Sequence, residues 1–239
     1  MGRAHEVRAA AMAKTAAMKS KVYSRYGKEI YIAAKSGVAD PEMNLALRSK
    51  IKEAKANQVP ADVIKRAIEK AKGGATESYD SLRYEGFGPG SATIIVDCLT
   101  DNSNRTIAAM NSCFNKARCK MGVKGSVSFN YDNLGVISFK FDDEDKMLDT
   151  LINAEVDVND IEVEEGEMTV YVAPGDLHKA QEAIDNLIPD CEYSVCAIKM
   201  LPQEYVKLED EHDKELWNRL LSLLDEVDDV QEVYHNVED

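Results

Sequence analysis

Long apolar runs are missing from this chain of 239 residues. No stretch approaches the roughly 20 residues that a bilayer-spanning helix needs, so none is expected. The opening residues also lack the apolar segment of a secretory signal. Met1-Gly2-Arg3-Ala4-His5-Glu6 places Glu6 where an N-myristoylation motif takes Ser or Thr. A soluble, cytoplasmic protein without a lipid anchor is the expectation. The Ala-rich, basic start resembles a mitochondrial transit peptide in composition, but it runs directly into an apolar-periodic helix that the first domain needs.

Cysteine and histidine are equally sparse. The five residues Cys98, Cys113, Cys119, Cys191 and Cys196 form no Cys-x-x-Cys pair and are odd in number, which suits core filling in a reducing compartment. Cys191 and Cys196, five apart in a strand-like stretch, point to opposite faces and share no metal. The four histidines, His5, His178, His212 and His235, lie far apart in sequence. There is no Gly-x-Ser-x-Gly elbow, no Walker glycine-lysine loop, no His-Glu-x-x-His and no EF-hand. Catalysis, a cofactor, a bound metal and a small-molecule substrate are therefore not expected. The acidic runs at 142–145, 162–167 and 225–229 read as solvated helix ends and a hairpin turn.

What the chain does have is a divided charge. Residues 1–74 carry 16 Lys and Arg against 7 Asp and Glu, whereas residues 75–239 carry 13 against 36. A cationic first third on an acidic molecule implies an anionic partner, with nucleic acid the leading candidate. Charges more than roughly 8 Å apart are largely screened at physiological salt, so the acidic remainder does not cancel the basic segment.

With 44% hydrophobic residues, 13 Gly and 6 Pro, the chain can bury two or three cores. Residues 7–35 carry Val22, Tyr26, Ile30 and Ala33 at helical spacing. Lys14, Lys21, Arg25, Lys28 and Lys35 fall within an arc of about 80° on the opposite side. Lys19 interrupts the apolar arc, Ile32 interrupts the basic one, and Gly27, at a cost of about 1 kcal/mol, is a candidate break. Asp40-Pro41 predicts a helix start. A third helix follows Pro60, burying Ile64, Ile68 and Ala71, and the left-handed glycine Gly73 or Gly74 ends it. These helices add Arg48, Lys50, Lys52, Lys55, Lys65, Arg66, Lys70 and Lys72 to the positive surface.

Beyond Glu77 the period becomes alternating. Strands are expected at 91–99 and 125–131 around a helix at 101–119. The order strand 135–141, helix 143–153, strands 159–164 and 167–173, helix 175–188 and strand 193–201 is the split βαβ arrangement of a ferredoxin-like unit. A helix at 209–225 and a strand at 230–237 complete the chain. Neither remnant flanking the ferredoxin-like unit can bury a core alone, so the two should combine. The fold class is thus α+β multidomain: a basic helical domain at 1–76, an α/β domain made of 77–132 plus 203–239, and the unit 133–202 inserted in it.

Two strings stand out. Arg83-Tyr84-Glu85-Gly86-Phe87-Gly88-Pro89-Gly90 reads as a tight turn feeding a strand; as a lesser alternative, Tyr84 and Phe87 offer a stacking surface. Asp101-Asn102-Ser103-Asn104-Arg105-Thr106 caps a helix. A cation in a first turn opposes the helix dipole, so Arg105 calls for a carboxylate or phosphate partner.

Those strings, with Gly37 to Glu42, Pro60 to Gly74, Gly125-Ser-Val-Ser128, Gly135 to Phe139 and Asp228 to Asn236, resemble the YebC/PmpR family from end to end. The likeness is strongest to its YeeN-like branch, and the family includes mitochondrial translational activators. The resemblance implies a helical domain and two α/β domains, the last inserted in the middle one, and a DNA-binding regulator of transcription. Similar proteins act on translation, which makes rRNA or tRNA on the ribosome the alternative partner and a protein-binding adaptor a third reading. The usual family start, Gly-His-Ser-Lys-Trp after the initiator Met, is here Gly2-Arg3-Ala4-His5-Glu6-Val7, without the tryptophan. Arg118-Cys119-Lys120 replaces a glycine pair. The expected contacts are to DNA or RNA phosphates from Arg3, Arg8, Lys14, Lys21, Arg25, Lys28 and Lys35, with Arg105 secondary.

Overall fold

A computed structural model describes residues 16–73 and 78–238. Among them are seven α-helices and two four-stranded sheets. The chain divides into two compact units: Met1–Ala75 with Asn133–Lys199, and Thr76–Asp132 with Met200–Asp239. The second unit is discontinuous in sequence. The helical segment groups with residues 133–199.

In the first unit, α1 (Ala16–Lys35) packs on α2 (Leu45–Ala56) and α3 (Ala61–Lys72). The buried stripe is Tyr26, Ile30 and Ala33 from α1, Leu47 and Ala54 from α2, and Ile64, Ala67 and Ala71 from α3. Gly27 does not break α1, which runs unbroken to Lys35. A Cβ built on Gly27 would meet Val63 at 3.8 Å, an ordinary contact. Replacing Gly27 with Ala should therefore stabilise the unit by about 0.5–1 kcal/mol, read as a rise in the urea midpoint with unchanged slope.

Asp40-Pro41 is not where α2 starts. The Asp40 carboxylate accepts instead from Glu42 N at 2.9 Å in a turn, and the cap is Asn44. Buried Asn44 accepts from Leu47 N at 3.0 Å and donates to Ala33 O and Val38 O at 2.8 and 2.9 Å. One amide thus closes the end of α1 and the beginning of α2, which a carboxylate, having no N–H to donate, cannot do. Gly73 ends α3 at φ −72, so it is not left-handed.

The sheet of this unit has the order β5-β6-β4-β7, from β4 (Tyr131–Lys140), β5 (Val158–Glu164), β6 (Glu167–Val172) and β7 (Tyr193–Pro202). Its helices are α5 (Glu144–Asn153) and α6 (Leu177–Leu187). Asp143 caps α5, accepting from Lys146 N at 3.1 Å, with Glu144 and Asp145 in the first turn, so this acidic run complements a helix dipole. Positive φ at both Glu165 and Gly166 makes a primed two-residue hairpin between β5 and β6. Ile137, Phe139, Met147, Leu151, Met168, Val170 and Ile184 form the core, each fully buried and worth roughly 1.5–3 kcal/mol. Ala56 of α2 packs against it, and Lys52 lies 3.8 Å from Glu182 of α6, which joins the helical segment to this core.

The second unit has the strand order β3-β1-β2-β8, from β1 (Asp80–Phe87), β2 (Thr93–Thr100), β3 (Lys120–Met121) and β8 (Val230–His235). One face packs Ile94, Val96 and Cys98 against Met110 and Phe114 of α4 (Ser103–Lys116) and Trp217, Leu220 and Leu224 of α7 (Glu211–Asp225). The other face gathers Ile95, Val127, Tyr131 and Met200.

Two strings of this unit fold otherwise than the sequence predicts. The string at 83–90 is itself mostly strand, paired in register with β2, and only its end forms the turn, where Gly88 N donates to Ala92 O at 2.8 Å and Gly90 has φ +60. Of the strand expected at 125–131 only Tyr131, the first residue of β4, is extended in a sheet: residues 125–130 form a loop with a 3-10 turn at Ser128–Asn130. Gly125 turns to φ +85, and its N–H and those of Val127 and Ser128 point at one carboxylate rather than at a neighbouring strand.

Candidate nucleic-acid interface

Arg3, Arg8 and Lys14 lie outside the described residues. Lys21, Arg25, Lys28 and Lys35 follow one another along a face of α1, but they are not equivalent. Arg25 Nε donates to Glu29 Oε1 at 2.9 Å, its guanidinium sits 5.1 Å over the Tyr26 ring, and only 13% of its side chain is exposed. Glu29 also meets Lys50 Nζ at 3.3 Å, and Lys50 reaches Glu53 at 2.8 Å. Burial works against ionised Glu29, yet Arg25 and Lys50 hold its carboxyl below the usual range. These four residues form a neutral chain tying α1 to α2, so Arg25 is a structural cation. Lys21 and Lys28 are half-buried and interact with neighbours. Lys35 is exposed at the end of the helix.

More of the exposed positive charge stands on α3. With Ile64, Ala67 and Ala71 buried, the helix turns Lys65, Arg66, Lys70 and Lys72 outward. Lys65 with Glu69 and Arg66 with Asp62 make pairs whose side chains are mostly in solvent, and such pairs are weak and open to competition by phosphate. Lys70 lies 5.5 Å from the Tyr31 ring centroid. Lys70 and Lys72 also complement the helix dipole. The apolar period of α3 was the signal that these cations share one face.

Arg105 finds a carboxylate. Its Nη2 donates to Asp229 Oδ1 at 3.0 Å and to Asp101 Oδ1 at 2.8 Å, and Thr106 Oγ1 donates to Asp229 Oδ2 at 2.9 Å. Asn102 caps α4 by accepting from Arg105 N at 3.1 Å. Buried Asp229, at the entry to β8, thereby pins the start of α4 to the sheet. A separation of 124 residues hides this pairing from local reading.

The other strings are joined in the same way. Arg83 donates to both oxygens of Asp97, at 2.6 and 2.8 Å. Glu85, 2% exposed, accepts from Gly125, Val127 and Ser128 N at 2.8, 2.7 and 3.0 Å. Asn236 accepts from Thr93 N at 2.7 Å. Tyr84 turns into the helix-covered core, while Phe87 remains at the surface. Burial raises the thiols of Cys113, Cys119, Cys191 and Cys196 above their ordinary range, so none of them is an activated nucleophile. No cluster of three or more metal-ligating side chains occurs among the described residues. No helix among them is long and apolar enough to cross a membrane.

Fold and site together define a mixed α/β protein whose helical segment is cationic and whose most distinctive strings are internal struts. The profile described as the TACO1/YebC protein N-terminal domain matches residues 3–74, and that of the TACO1/YebC second and third domain matches residues 79–237. The chain belongs to the TACO1/YebC family. A probable transcriptional regulatory protein of Alteromonas mediterranea is 49% identical over 99% of this chain and 98% of its own. One from Vibrio campbellii is 50% identical over the whole of both chains. The crystal structure of a conserved hypothetical protein from Aquifex aeolicus superposes with a TM-score of 0.76 at 31% identity, covering 95% of this chain and 93% of that one.

Proposed function

We propose that this protein is a cytoplasmic, non-enzymatic regulator of gene expression that binds nucleic acid through phosphate contacts from its helical segment. The observation that carries the proposal is the set of outward cations on α3, with Lys35 exposed at the end of α1. The names of the relatives, probable transcriptional regulatory proteins, support the regulatory role. DNA is the first candidate ligand. Arg3, Arg8, Lys14, Lys21 and Lys28 belong to the proposed surface, whereas Arg25 holds α1 to α2 beneath it and Arg105 is engaged by Asp229 within the second unit. The strand order β5-β6-β4-β7 supports reading residues 133–202 as a ferredoxin-like module inserted between 77–132 and 203–239, with 1–76 as a helical domain.

Phosphate contacts position a protein without reading bases, so affinity should depend steeply on salt and weakly on sequence. With about six contacts, binding to a labelled duplex should weaken roughly 1,000-fold between 50 and 200 mM salt. The triple change Lys35→Glu, Lys65→Glu and Lys72→Glu should lower affinity tenfold or more, by roughly three lost contacts, with an unchanged circular dichroism spectrum. Retained affinity in that variant, or a flat salt dependence, would discard the surface.

A further inference from the structure

The second unit is acidic except along one stretch. Residues 102–131 hold five Lys and Arg and no Asp or Glu, while the rest of 75–239 holds 8 against 36. Arg105 is committed to Asp229, but Lys116, Arg118, Lys120 and Lys124 are exposed, and no ion pair engages them among the described residues.

This stretch and the end of β1 carry uncovered apolar side chains. Phe129 is 69% exposed, Val123 77% and Phe87 37%. Single exposed apolar groups are ordinary, but here the loop that bears Val123 and Phe129 is tied to the sheet beside Phe87. Phe87 is the cross-strand partner of Lys120, so the two side chains share a face. Glu85, two residues before Phe87, lies on that face as well and receives the loop through the N–H groups of Gly125, Val127 and Ser128. Gly122 N also donates to Glu85 O at 2.8 Å, and Gln203 N holds Asn130 O at 2.9 Å. Tyr131 is fixed by its hydroxyl on Thr93 O at 3.0 Å. The backbone of the loop is therefore anchored on both sides of Phe129, so binding there has little main-chain ordering left to do.

We propose that this loop and the adjoining β1–β3 edge form a docking surface for single-stranded nucleic acid, with bases stacking on Phe129 and Phe87 and phosphates held by Lys120 and Lys124. Charge complementarity selects a polyanion, and the exposed rings select one whose bases are unpaired, since a duplex keeps its base faces covered. Arg118 and Lys116 reinforce the local potential. The surface is built from other residues than the helical one and extends the nucleic-acid reading above.

The test uses the full chain and fluorescence anisotropy with a labelled 12-mer of oligouridylate and, separately, a 20-base-pair DNA duplex. Phe129→Ala should weaken oligouridylate binding about tenfold and leave duplex binding unchanged, and Phe129→Trp should retain the affinity. Lys120→Glu with Lys124→Glu should weaken it further. The helical triple variant separates the two proposals: loss of duplex binding there, with the Phe129-sensitive component intact, supports both. Failure of the helical surface alone leaves the Phe129 effect standing. Unchanged oligouridylate affinity in both loop variants, an equal loss for the duplex, or equal displacement by polyglutamate would overturn the single-strand site, the last pointing to an acidic protein partner.

Discussion

Replacing Glu85 with glutamine is expected to cost the second unit about 3 kcal/mol, more than any other charge-neutralising change in it. The side chain is 2% exposed and takes three backbone N–H groups from one loop. Hydrogen bonds to a charged acceptor contribute about 1.5–3 kcal/mol each, and an amide offers only one oxygen where two are used. Its NH2 would face an N–H donor, leaving both unsatisfied in a dry site. Urea unfolding followed by Trp217 fluorescence gives the loss directly.

The same carboxylate sets an acid dependence. Burial alone would raise it, but the N–H groups of Val127, Gly125 and Ser128 prevail and hold it below its ordinary value of 4.5. A carboxyl depressed in the folded state contributes stability that is fully present above the unfolded value and is lost as pH falls through the folded one. Between pH 7 and about 5.5 the contribution should be constant. Below about 4.5 the wild-type protein should lose stability more steeply than Glu85→Gln. Parallel curves for the two proteins would assign the carboxylate no role.

The second large effect belongs to Gly86→Ala. A Cβ at Gly86 would collide with the Phe114 ring and stand 2.9 Å from the backbone oxygen of Lys120. The ring can give, but the backbone of β3 is paired to this residue through Met121. Overpacking of this kind costs about 1–3 kcal/mol, and the upper end is expected because main chain has to move. The shift would also pull Lys120 away from Phe87, so Gly86→Ala should reduce oligouridylate binding along with stability. A folded variant with wild-type stability would show that α4 has room to retreat.

Element identities were largely legible in the sequence because period and punctuation are local. Ile64, Ile68 and Ala71 mark α3, although Ala67 is buried there and Ile68 only partly so, and the turn at Glu165-Gly166 marks the β5–β6 hairpin. Local signals also misled. Asp40-Pro41 looks like a helix start, but Asn44 outcompetes it because its amide satisfies Ala33 O and Val38 O as well as Leu47 N. Residues 125–131 look like a strand because Val127, Phe129 and Tyr131 alternate, yet Glu85, 40 residues earlier, captures the N–H of Gly125. The roles of cations were the least readable. Arg25 fits the basic arc by angle, but Glu29 and the Tyr26 ring claim it. Arg105 was recognised as needing an anion, and only the fold supplied Asp229.

The interruption of the second unit by residues 133–199 bears on how a nascent chain matures. Strand β2 finds one neighbour at once in β1, but its other neighbour is β8, with Ile94 facing His235. At about 5–20 residues per second of synthesis, that flank stays unzipped for roughly ten seconds. During that wait the backbone groups of Ile94 to Asp97 invite any passing strand. The last forty residues thus act as the clasp of the protein, and chains truncated before Val230 should aggregate rather than lose only a terminus.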